Sequence, residues 1–65
     1  MDKAQVKQAW ESWQQEHAEE AAQIRHTFAD TAIREGFARA EHSLCAAIAN
    51  RIPMASYANV QDALA

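Results

Sequence analysis

Residues 6–52 read VKQAWESWQQEHAEEAAQIRHTFADTAIREGFARAEHSLCAAIANRI, and the placing of apolar residues in this stretch decides the fold. Val6, Trp10, Trp13, His17, Ala21, Ile24 and Phe28 recur at intervals of three and four. That spacing keeps side chains on one face of an α-helix. Ile33, Phe37, Ala40, Leu44, Ile48 and Ile52 recur in the same way. At about 100° per residue, the two stripes lie roughly 180° apart on one straight helix. A single straight helix therefore cannot lay both on one core. Either the chain turns back near Ala29–Ala32, or it stays helical and offers two apolar faces to different neighbours. A turn-back buries both stripes with one fold, so a helical hairpin is the preferred expectation.

Composition agrees with an all-α fold. Alanine is the commonest residue, Gln and Glu are frequent, and all three favour helix. The single glycine is Gly36 and the single proline is Pro53. β-branched residues never alternate with polar ones over a strand length. The first helix is expected over about 3–28, with Asp2 as its cap. The second is expected over about 32–51, capped by Asp30 or Thr31 and supported by the Glu35–Arg39 spacing. Pro53 disfavours helical geometry at Ile52, which sets the end. Ser56, followed by Tyr57, Val60 and Leu64, predicts a short third helix over about 57–64 that must dock to persist. Gly36 lies inside the second stripe, where a helical glycine costs about 1 kcal/mol relative to alanine.

A chain of 65 residues is one small domain. At this size only about 60% of the unfolded surface is buried, and small scaffolds draw added stability from disulfides, metals or partners. Cys45 is the only cysteine, so no intrachain disulfide forms. His42 and Cys45 are three apart, as two ligands on one helix would be, but a metal site needs three or four. No metal and no cofactor is expected. Self-association or docking on a larger partner remains, and the preferred architecture is a homodimer forming a four-helix bundle. In size and outline this is similar to the small hairpin dimers that control plasmid copy number, a likeness of architecture with no shared motif.

The net charge is −3 with histidine neutral. A nucleic-acid binder relies on Lys and Arg at phosphates, so this balance argues against one. The charge is uneven. Residues 1–24 are acidic, with Glu11, Glu16, Glu19 and Glu20 outweighing Lys3 and Lys7. Residues 25–52 are slightly basic through Arg25, Arg34, Arg39 and Arg51. No apolar run reaches the roughly 18 residues of a transmembrane helix. The start Met1-Asp2-Lys3 carries no signal-like apolar core, so a cytoplasmic protein with a reduced thiol is expected.

No glycine-rich phosphate loop, nucleophile elbow or Glu-x-x-His pair occurs, and so short a chain encloses a catalytic pocket with difficulty. A non-enzymatic role follows. Trp10 and Trp13, three apart, suit either a dimer core or an anchor on a target. His17 shares their stripe. The interface expected from the sequence comprises Trp10, Trp13, His17, Ile24, Phe28, Ile33, Phe37, Leu44, Ile48, Met54 and Tyr57. The function expected is that of a protein–protein interaction module of the phage- or plasmid-type inhibitor class, which occludes a larger host protein. Two alternatives stand beside it. A dimeric nucleic-acid regulator would read through a helix bearing Arg34 and Arg39. An acidic nucleic-acid mimic would present the Glu11–Glu20 cluster to a basic groove.

Overall fold

Asp2 opens the first helix with a reciprocal cap. Its carboxylate accepts from the Gln5 N–H at 2.9 Å, and the Gln5 side-chain oxygen accepts from the Asp2 N–H at 2.9 Å. The computed structural model describes residues 1–65 as four helices and no strand. These are α1 (Lys3–Glu16), α2 (Ala18–Glu35), α3 (Phe37–Arg51) and α4 (Tyr57–Leu64). A second capping box, Ser56 with Asn59, starts α4. No helix is long and apolar enough to cross a membrane.

The turn expected at Ala29–Ala32 is not there, since α2 runs through those residues. The sequence between Thr27 and Ala32 holds no helix breaker, and alanine favours propagation. Asp30, read as a cap, instead accepts from Arg34 Nε at 3.1 Å, an i,i+4 pair that supports the helix it was expected to end. The reversal sits at Gly36, whose φ of 98° and ψ of 160° are open to glycine and to almost no other residue. Its N–H donates to the Ala32 carbonyl and its own carbonyl accepts from Ala40, so it closes α2 and opens α3. The chain folds back there, and α2 lies along α3.

A second break, at His17, divides the segment expected as one helix over 3–28. No glycine or proline marks it. The His17 N–H and ring Nδ1 both reach the Trp13 carbonyl, at 2.9 and 3.1 Å, and the ring stacks on Trp13 with centroids 4.6 Å apart. This finishes α1 with a side-chain cap. Glu19 and Glu20 then supply negative charge to the first turn of α2. The cause is tertiary. Unbroken, residues 3–35 would extend about 50 Å, whereas the molecule is 31 Å along its longest axis. The break lets Val6, Trp10 and Trp13 fold over α3 and α4, while Ala21, Ile24 and Phe28 stay with α3.

The core is therefore built from three helices. Val6 of α1, Cys45 and Ile48 of α3, Ile52 just after it, and Val60 and Ala63 of α4 are buried together. Ala9, Trp10, Trp13, Leu44 and Tyr57 pack around them. The contact of α2 with α3 has a different texture. Its side chains are Ile24 and Phe28 of α2 with Leu44, Ala47 and the fully buried Ala40 of α3. Pro53 follows Ile52 as expected, and Met54 adopts a positive φ of 71° in the connection to α4.

Two outcomes test this arrangement. An added Cβ at Gly36 meets nothing within 4 Å, so the cost of Gly36→Ala is conformational alone. It should lower unfolding free energy by about 1–3 kcal/mol in urea, while D-alanine at that position, which prefers positive φ, should not. Ile48→Ala removes the largest fully buried side chain and should cost about 2–5 kcal/mol, read as an early thermal transition by circular dichroism.

Candidate interaction surface

Packing of α1 and α4 against α3 leaves the opposite side of the α2–α3 pair open. A groove of about 290 Å³ runs there. Its walls are Ile24 and Phe28 of α2 and Leu44 and Ala47 of α3, over a floor at Ala40. Thr27 and Ser43 line its rim, and no residue of α1 or α4 takes part. One end is closed by the ion pair of Arg51 Nε with Glu20 Oε2 at 2.7 Å. Arg51 also donates to the Ala47 carbonyl at 2.9 Å and lies 5.8 Å from the Trp13 ring centroid. Toward the Gly36 end, Phe28 and Phe37 meet edge to face with centroids 5.8 Å apart. Phe37 is nonetheless 64% exposed. The channel is thus apolar along its walls, with an ion pair at one end and an aromatic pair at the other.

The residues expected at the interface divide into several groups. Ile24, Phe28 and Leu44 line the groove, with Phe37 at its end. Ile48 does not belong there. It is fully buried in the core because its face of α3 meets α1 and α4, so no partner reaches it. Trp10 and Trp13 are half-buried against that core and stack on each other at 5.2 Å, with Trp13 continuing to His17. They pack on the core and keep part of their surface exposed. His17, expected on the packed stripe, is exposed where α1 ends. Ile33 is 86% exposed, since the change of direction at Gly36 leaves its side of α2 uncovered. Met54 is 90% exposed in the α3–α4 connection. Tyr57 is half-buried, and its hydroxyl shares a 2.8 Å hydrogen bond with His42 Nδ1.

The basic helix proposed for nucleic-acid reading does not exist as one unit. Arg34 lies on α2 and Arg39 on α3, on either side of Gly36. Arg34 pairs with Asp30 and Arg39 with Glu35 at 3.7 Å, so each positive charge has a local partner. His42 and Cys45 likewise do not converge. Cys45 points into the core while His42 is held by Tyr57, and no group of three His, Cys, Asp or Glu side chains comes together. Sequence reasoning placed Ala40 on the second stripe but left it out of the expected interface, and missed Ser43 and Ala47 altogether, because small residues carry little hydrophobic signal. Their spacing of three and four along α3 was the available clue.

Burial pushes the Cys45 thiol above its ordinary 9.0, with the nearby Glu41 carboxylate adding to the effect. Tyr57 is raised above 10.0, first by loss of hydration and then by Cys45 and Glu41. Both shifts favour the neutral forms in the folded chain. Their contribution to stability is complete below the unfolded values and is lost as pH rises through the folded ones. Resistance to urea should therefore be level up to about pH 9 and decline above it. Cys45 should react with a disulfide reagent at pH 8 at the rate of unfolding, and freely in urea. Fast reaction of the folded chain would contradict its burial.

Compared with known proteins, the chain matches no protein-family model, no curated protein and no solved structure.

Proposed function

We propose that this protein is a non-enzymatic helical interaction module, a homodimer that acts as a small inhibitor by occluding a larger protein. The observation that carries this reading is the apolar α2–α3 groove, which the chain's other two helices leave uncovered. Exposed apolar surface of this kind is costly in water and marks protein contacts. Two surfaces are on offer, the groove and the α3–α4 connection. At the connection Met54 stands out from a left-handed turn beside Tyr57. Methionine is unbranched and polarizable and adapts to varied apolar partners. With Trp10 and Trp13 packed on the core, Met54 and Tyr57 are the better anchors for a target. The non-enzymatic part of the reading draws support from Cys45, the strongest nucleophile in the chain, being buried and held neutral. A cytoplasmic setting fits its free thiol.

Lysate capture on immobilised protein tests the target contact. A specific partner should be retained by wild type and reduced at least about tenfold, or 1.4 kcal/mol, by Met54→Asp. Met54 is too exposed for that change to disturb the core. Retention indifferent to Met54→Asp and Tyr57→Ala alike would remove the inhibitor reading. Binding to nucleic acid at low salt, weakening steeply as salt rises, would favour the regulator instead.

A further inference from the structure

We propose that α4 is an exchangeable arm: two copies of this chain trade their α4 helices, each seating its own against α1 and α3 of the other. The proposal rests on the homodimer part of the reading above and adds the element that joins the copies. The α2–α3 groove takes no part in it.

The hinge carries the argument. α3 stops at Arg51 and α4 starts at Tyr57. Between them Ile52–Ala55 form a tight turn, closed by the Ala55 N–H donating to the Ile52 carbonyl at 3.2 Å. Proline in the second place suits such a turn, and a positive φ in the third place calls for glycine. The third residue is Met54, at a φ of 71°. A residue with a side chain is disfavoured there by about fivefold to thirtyfold. At Gly36, the chain's other positive φ, a glycine is present. Met54 is 90% exposed, so no packing of its side chain offsets the strain. Turning Met54 to an extended conformation removes that strain and swings α4 away from its own α3. Ile52 is already extended ahead of Pro53, which bars α3 and α4 from merging into one helix.

The arm is suited to travel. It carries its own cap, Ser56 with Asn59. What holds it is compact: Val60 and Ala63 buried in the core shared with α1 and α3, and the Tyr57 hydroxyl on His42 Nδ1 at 2.8 Å. Each of these contacts re-forms unchanged on a second copy, because the seat is the same. The closed and exchanged forms therefore differ in the hinge and in the cost of association. Short hinges under strain favour exchange for this reason.

The magnitudes allow it. A helix on a short tether meets its own seat at an effective concentration of about 1 mM. Exchange relieves two hinges, one in each copy, and so tightens association by the square of the strain factor, about 25-fold to 900-fold. The resulting Kd is roughly 1–40 µM, and without the strain it returns to about 1 mM.

The test combines mass, relief of the hinge and isotope labelling. Wild type and Met54→Gly are each unfolded in urea and refolded at about 200 µM, well above that Kd, so that arms can exchange. Glycine accepts the positive φ, so the variant keeps the turn and the fold. Light scattering should give twice the chain mass of 7.3 kDa for wild type and close to the single mass for Met54→Gly. Wild type refolded as an equal mixture of isotope-labelled and unlabelled chain should show interchain NOEs from the Val60 methyls to those of Val6, Ile48 and Ile52. A single-chain mass for wild type overturns both the exchange and the homodimer reading. A dimer that lacks those interchain NOEs, or that Met54→Gly leaves equally tight, overturns the exchange and leaves the homodimer standing.

Discussion

The backbone of Gly36 is the constraint on which the rest of the structure depends. Its φ of 98° reverses the chain without a longer loop, so Gly36 alone separates α2 from α3. Because the reversal is that tight, residues at equal distances from Gly36 on the two helices stand level. Glu20 meets Arg51, and Ile24 and Phe28 face Leu44 and Ala47 across the groove. A longer loop would free the helices to slide, and the ion pair and groove would lose their register. Only glycine adopts this conformation at low cost, so one residue without a side chain fixes the positions of many that have one.

The division of labour between the faces of α3 follows from that geometry. One face, Cys45 and Ile48, continued by Ile52, is used up by α1 and α4, which makes it core. The neighbouring face, Ala40, Leu44 and Ala47, borders the groove beside α2, with Leu44 also touching the core. An apolar helix with one face satisfied and the next half-satisfied is a poor end state for an isolated chain of this size, whose buried core comes to a handful of residues. The ion pairs add little to the balance. Arg34–Asp30 and Arg39–Glu35 are exposed and local, and such pairs contribute about 0–1 kcal/mol each. The apolar core shared by α1, α3 and α4 is the larger source of stability.

Helix content, both capping boxes' leading residues and the stop before Pro53 were legible because each depends on neighbours within four residues. Asp2, Ser56 and Ile52 act locally, and local rules describe them. The turn at Ala29–Ala32 was inferred from the phase of two apolar stripes, which says that the chain must change direction but not where. Asp30 looked like a cap until Arg34 took its carboxylate. His17 carried no breaker signal at all. Its role exists only because Trp13 offers a carbonyl and a ring to it, and because α1 must fold back to reach α4.

The same contrast applies to the candidate surface. Ile24, Phe28, Phe37 and Leu44 were recognisable as apolar and on the right faces, since helical periodicity is written in the sequence. Whether each is buried within the chain or left for a partner was not, because that depends on which helix arrives first at each face. Ile48 and Leu44 lie four residues apart on one stripe, yet one is sealed beneath α1 and α4 and the other borders an open groove. Sequence alone determined an all-helical chain with more apolar face than one helix can use. Only the tertiary structure decided which part of that face stayed uncovered, because burial is shared among residues far apart in the chain.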